Sequence, residues 1–519
     1  MSNYFKYQHF NQDNIASEEQ CQIKKLSIYE ALEQVGSQHT YQKRFFLFSG
    51  FVWLFGAACI LSPIFTYEKP SFNCPPEIKS DECENWACQQ PDPSQYFSSK
   101  PNSFIMSFDP PFLCDRQYIA DLQIAINYAG SALGFIASLY IADNIGRKFA
   151  TALFWILAGV GTLISSIFSD DILLSVFGFA LSQFGANSTI NIVFCIMNDH
   201  SLGKFRQYSM AAISPFYGLG GSLLVLFNLI SADYKVMMFL IGALIMISCL
   251  YLQKIQDPPL FIYEKDKLKT VEVLNYIAHI NKRVTITKEQ LQDKHVEVNK
   301  KRIYGIRDLF VFPTLRLNSI FSGLVLFFIQ ISYYGSNLTL SQFGLDTKSN
   351  ALATSIADTV GYIAVIPFVP HFKRKQICMI SGLIFSLIMI SFNFLEVPQD
   401  CQDGCIEKTL QVILVALARF FLTFEWGIAF IFFAEMFPIT VRTVGLGFAS
   451  FVGEFGSILC SYFISSLIKY GVNPLFGIGI ISLLSLLLYY PTEETFNKPI
   501  QNEIKELIEV ELQKVQQNN

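Results

Sequence analysis

Four ionisable side chains stand out inside long apolar runs of the chain: Asp358, Arg419, Glu425 and Glu454. A charge at the centre of a bilayer costs on the order of 2 to 3 kcal/mol or more, so each must hold a partner or a passing ion. The chemistry open to such residues is ion exchange. A carboxylate in a low-dielectric cavity attracts a cation strongly, and trading a fixed partner for a mobile one avoids leaving it bare. Glu425 lies six residues beyond Arg419, about 240° around a helix, so these two are expected to have different partners. A permanent pair between Glu454 and Arg419 that only joins helices is the competing reading, and Asp358 is open to structural pairing or to ligand contact. Neither a Gly-rich phosphate loop, a metal-ligand cluster nor a nucleophile elbow accompanies these charges, so no enzyme, cofactor or metal is expected. "GLGGS" at 218 to 222 lies within an apolar run and reads as helix packing.

A second set of charges repeats. Asp199 and Arg206 stand seven apart, as do Glu435 and Arg442, 236 residues later. In "DNIGRK" Arg147 follows Asp143 by four; in "PHFKRK" Arg374 follows Pro370 by four, an offset of 227. Two similar halves joined by a basic segment is the parallel-repeat plan of secondary transporters.

The elements that must carry these residues follow from composition. With 52% hydrophobic residues, 15% charged residues and 50 Phe, the chain is unlike a soluble enzyme, and a net charge of −4 says nothing about nucleic acid or acidic partners. A hydrocarbon core of about 30 Å needs roughly 20 apolar residues of helix. Twelve such spans are expected, near 45–66, 118–142, 149–168, 172–196, 208–231, 236–254, 314–336, 350–369, 376–396, 410–433, 445–467 and 473–490. They are too long for barrel strands and lack strand alternation. With both termini in the cytoplasm, 29 of the 38 Lys and Arg fall on the inner side, as the positive-inside rule asks. The cysteines agree. Cys74, Cys83, Cys88 and Cys114 share the 67–117 loop, and Cys401 and Cys405 share the loop after span nine, all on the outer side. Even numbers in two outer loops point to disulfides, with three pairings open in the first; the spacing lacks the paired CxxC of a zinc site.

At this point the chain resembles a known family. "DNIGRK" resembles the inner-loop signature of the major facilitator superfamily, and the subfamily it is most similar to is the organic cation, anion and zwitterion transporters. "IYEALEQVGSQHTYQKRFF", "SFDPPFLCDRQYIADL", "DHSLGKFR", "AEMFPITVRTVGLGF" and "YYPTEETFNKPI" extend the likeness along nearly the whole chain. The resemblance implies an all-α membrane protein with two six-helix halves at 45–254 and 314–490 and a Cys-bearing outer loop at 67–117. A cytoplasmic segment 1–44, a linker 255–313 and a tail 491–519 complete the plan. It implies a multi-pass facilitator, expected at the plasma membrane with an internal vesicle membrane as the alternative, that moves small organic ions through the bilayer by alternating access, without cofactor or nucleic acid. Glu454 falls where cation-selective members carry an acid and anion-selective members an arginine, which favours cationic substrates. Asp358, Arg419 and Glu425 are further substrate candidates, and Tyr333, Tyr334 and Phe194 match aromatic positions that could face an organic cation. A sugar or organic anion carrier of the same fold, or a receptor-like scaffold that no longer transports, are the alternatives.

The gate implied by the resemblance comprises Asp143, Gly146, Arg147 and Lys148 with Asp199 and Arg206 in the first half, and Arg374, Glu435 and Arg442 in the second. Departures concentrate in the second half, where Pro370 stands for the inner-loop acid and Lys373 for its glycine. After span six, "DPPLFIYE" keeps Asp257 and Pro259 but has Leu260 and Phe261 at the other places. The expectation is a whole latch in the first half and only Arg374 in the second.

Overall fold

The computed structural model describes residues 25–75, 83–263, 266–292, 305–339, 347–369, 371–395, 406–438 and 441–496. Cys401, Cys405 and Pro370 lie outside the described residues, as does the side chain of Asp143.

The apolar runs are helices. In chain order the principal ones are α1 (Ile28–Val35), α2 (Thr40–Leu61), α3 (Gln117–Asn144), α4 (Arg147–Ile167), α5 (Ile172–His200), α6 (Gly203–Ile213), α7 (Pro215–Ile230) and α8 (Tyr234–Ser248). After the linker helix α9 (Lys267–Asn281) come α10 (Pro313–Leu338), α11 (Thr347–Phe368), α12 (Arg374–Ser391), α13 (Ile406–Met436), α14 (Arg442–Lys469) and α15 (Pro474–Tyr489). Among the described residues, eleven helical segments are long and apolar enough to cross a membrane; the twelfth expected span is the shorter α15, of 16 residues. At about 1.5 Å per residue it spans roughly 24 Å. The fifth span runs through the α6–α7 junction, where Pro215 opens α7 because its missing N–H is harmless at a first helical turn.

α2 begins five residues before the expected span. Asn281, at the end of α9, receives the Tyr41 N–H at 2.8 Å and donates to the Val35 and Gly36 carbonyls at 3.0 and 2.9 Å. Leu32 and Val35 of α1 pack with Leu274 and Ile277 of α9 in a small apolar core of their own. The linker thereby clamps the first turn of α2 and lengthens the helix.

Side-by-side packing sorts the long helices into two groups. α4 lies along α5 and α8, α3 along α5, and α2 along α5 and α7; in the second group α10 packs on α14 and α15, while α12 and α11 pack on α13. The groups meet along two seams, α3 with α14 and α7 with α11. Small residues allow the second seam: a Cβ on Gly218 would sit 2.6 Å from the Thr359 nitrogen, and one on Gly221 2.5 Å from Ser355 Oγ. Outside the helices, Ser71–Phe72 and Phe97–Ser99 form a short antiparallel pair within the 67–117 loop. That loop carries two disulfides, Cys74–Cys83 and Cys88–Cys114, which selects one of the three pairings.

Candidate functional site

The intramembrane charges sort by partner. Arg419 on α13 binds Asp358 on α11, Nε to Oδ1 at 3.0 Å and Nη2 to Oδ2 at 2.5 Å. Its Nη1 donates to the Tyr333 carbonyl at 2.9 Å and to Ser336 Oγ at 2.8 Å, and its guanidinium carbon lies 3.9 Å from the Tyr333 ring centroid. The Tyr333 hydroxyl closes the circuit by donating to Asp358 Oδ2 at 3.0 Å. Every nitrogen of the guanidinium is engaged, so the module is neutral and internally satisfied, as a buried ion pair must be. Arg419 therefore does not pair with Glu454, and one face of Tyr333 is already covered by a cation.

Glu425 belongs elsewhere. Its carboxylate receives the Tyr489 hydroxyl at 3.2 Å and points toward Gly382, where an added Cβ would be 2.7 Å from Oε2. It sits between α12, α13 and α15, within one helix group, and not with Glu454.

Glu454 on α14 is 1% exposed. Its Oε1 accepts from Gln330 Nε2 at 3.4 Å, and its Oε2 has no hydrogen-bond partner among the described residues. The hydroxyls of Ser131 and Ser457 face it, and Tyr128, Tyr217 and Tyr334 lie within electrostatic reach. α10 holds Gln330 there because Gly456 lets the two helices touch; a Cβ on it would be 2.1 Å from the Phe327 carbonyl oxygen.

Aromatic rings from both groups cluster near this carboxylate. Tyr128 and Tyr334 have centroids 4.7 Å apart, and the Tyr217 and Tyr334 hydroxyls approach to 3.4 Å. Tyr217 also contacts Tyr333, Tyr362 and Trp53, while Trp426 packs on Tyr333. Phe194 sits between Trp53 and Phe430, 5.6 Å from the latter. Of the sequence candidates, Glu454 and Tyr334 are brought together; Arg419, Asp358 and Tyr333 form the adjoining scaffold. Tyr128, Tyr217, Gln330, Ser131 and Ser457 were not legible, since a Tyr or Ser in an apolar helix carries no signal until its helix face is known. Toward the disulfide-bearing loop, a cleft of about 60 Å³ opens between the groups, lined by Tyr67, Asp121, Asn337 and Ser461 among others.

At the opposite end two matching clusters hold the helix ends. Arg147 pairs with Asp199, its guanidinium lies 5.1 Å from the Phe261 ring, and the Lys148 N–H donates to Asp257 at 2.8 Å. Arg374 pairs with Glu435 at 3.4 Å, lies 5.0 Å from the Phe496 ring, and Glu494 accepts from the Arg374 and Lys375 N–H groups at 3.0 and 3.1 Å. The second half thus holds as full a partner set as the first, contrary to the expectation from "PHFKRK". The acids come from Glu435 and Glu494, distant in sequence, and do not depend on what stands at 370. Gly146 has φ 140°, a conformation that side chains with a Cβ avoid. Arg206 donates to Asn198 Oδ1 at 2.6 Å. Burial, reinforced by the neighbouring Arg206, lowers the proton affinity of Arg442, while Glu435 and Asp199 oppose this, so loop charges of both groups meet here.

Residues 116–403 match the family model described as Major Facilitator Superfamily. Among curated proteins the chain is 24% identical over 410 residues to Organic cation/carnitine transporter 2 of Homo sapiens, covering 77% of this chain and 71% of that protein. It is 23% identical over 449 residues to Organic cation transporter 1 of Caenorhabditis elegans, covering 82% and 72%. Among solved structures, the partially occluded inward-open xylose transporter XylE from E. coli superposes with a TM-score of 0.60 at 11% identity, covering 90% of this chain and 100% of that one.

Proposed function

The chain belongs to the major facilitator superfamily, and from that premise we propose that it carries small organic cations across its membrane by alternating access. Like its relatives it is a multi-pass transporter and not an enzyme. The observation that carries the cation reading is Glu454, a buried carboxylate with no cationic partner among the described residues, within electrostatic reach of Tyr128 and Tyr334. A buried negative charge draws a cation, and ring faces bind one without demanding a set geometry. Anion carriage through Arg419 is disfavoured because Asp358, Tyr333 and Ser336 already occupy its donors.

In this reading 45–254 and 314–490 are the two moving halves, joined by the linker 255–313 and flanked by the segment 1–44 and the tail 491–519. The α3–α14 and α7–α11 seams part in turn. The end bearing Arg147 and Arg374 faces the cytoplasm, the disulfide-bearing loop faces outward, and the protein resides at the plasma membrane. Movement is uniport or exchange, driven by the cation gradient and the membrane potential. The test is saturable uptake of labelled phenethylammonium into proteoliposomes under an inside-negative potential, with Glu454→Gln as the comparison. Uptake that the substitution weakens tenfold or more is the expected result. No saturable uptake of any organic cation by the purified protein would overturn the proposal in favour of a scaffold.

A further inference from the structure

We propose that the Glu454 site selects ammonium groups that carry N–H bonds over quaternary ammonium groups; this rests on the cation reading above and narrows its substrate class. An aromatic box alone would point the other way, since ring faces hold quaternary ammonium groups well. What decides is the polar lining beside the rings. Glu454 Oε2, Gln330 Oε1 and the hydroxyl oxygens of Ser131 and Ser457 are buried and have no hydrogen-bond partner of ordinary geometry among the described residues. All four residues are 5% exposed or less.

These groups are gathered by helix spacing. Ser131 stands on α3, Glu454 and Ser457 one turn apart on α14, and the two helices run together along their seam. Gln330 reaches in from α10. The amide donor beside the carboxylate is engaged: Gln330 Nε2 donates to Glu454 Oε1 at 3.4 Å. The serine hydroxyls can turn their protons to the Glu454 carboxylate they face, which leaves their lone pairs toward a ligand. Apart from the tyrosine hydroxyls, the lining is therefore short of free donors. An R–NH3+ group supplies three, whereas a trimethylammonium group supplies none, keeps its charge behind methyl carbons and leaves the acceptors buried and unpaired. Sites built to hydrogen-bond a substrate N–H discriminate strongly against analogues that lack it.

The experiment uses the full chain in proteoliposomes under an inside-negative potential. Initial rates of competable uptake are measured for phenethylammonium and its N-methyl, N,N-dimethyl and N,N,N-trimethyl derivatives. We expect Vmax/KM to fall along the series, by fivefold or more from first to last. A smaller ratio, or a preference for the quaternary ion, overturns this inference and leaves the cation reading standing. No saturable uptake of any of the four overturns both. Gln330→Leu removes one acceptor and is expected to raise KM for the primary ammonium more than for the quaternary one. An equal factor on all four would count against the donor argument.

Discussion

The Arg419 guanidinium and the Asp358 carboxylate meet through two contacts, at 3.0 and 2.5 Å, and this pairing leaves Glu454 as the acid beside the aromatic rings without a cation of its own. The cation of α13 is thus committed to α11, and neither Glu425 nor Glu454 shares it.

Breaking the Arg419 pair should damage the fold more than the selectivity. Arg419→Ala leaves Asp358 buried and bare, a cost of about 3 to 5 kcal/mol. The double change Arg419→Gln with Asp358→Asn removes both charges and should recover most of that loss. Thermal unfolding of the purified protein in detergent measures both; a double variant no more stable than Arg419→Ala would show that the pair is not the source of the effect.

Reversing the charge at 454 should reverse the preference for substrate sign. Glu454→Arg is expected to reduce phenethylammonium uptake by a hundredfold or more at unchanged protein level, since a cation approaching the rings then meets like charge. Retained cation uptake in this variant would mean that the carboxylate is not on the substrate route.

Glu425 offers the contrast. It lies between α12, α13 and α15 with Tyr489 as its partner, so Glu425→Gln, which keeps an acceptor for that hydroxyl, should leave KM for organic cations within twofold of the parent. A tenfold change in KM would bring Glu425 back among the substrate contacts.

The two end clusters should matter equally. Arg147→Ala and Arg374→Ala each remove a guanidinium that holds a carboxylate and an aromatic ring, so both are expected to lower Vmax by similar factors while KM stays within twofold. If Arg374→Ala proves silent while Arg147→Ala is severe, the asymmetry suggested by Pro370 and Lys373 is the correct one.

Reading along the chain was enough for everything that depends on local composition. Apolar length located the spans, because the lipid interior forces each backbone polar group into its own helix. The repeated acid and base at 199/206 and 435/442, and the intramembrane charges themselves, stand out because charge is rare there. Partners were another matter. Whether Arg419 meets Asp358 or Glu454 depends on how far each helix is rotated about its axis and which helix lies beside it, and neither is written in one segment. The same rotation brings Tyr128 and Tyr217 toward Glu454, turns Glu425 away, and brings Glu435 and Glu494 to Arg374 across 61 and 120 residues. Cysteine pairing likewise waited on the folded loop, since any of three pairings satisfied the spacing and only one brought Cys74 to Cys83 and Cys88 to Cys114. Sequence determined which residues had to find a partner; tertiary packing, a sum of many weak long-range contacts, decided which partner each one found.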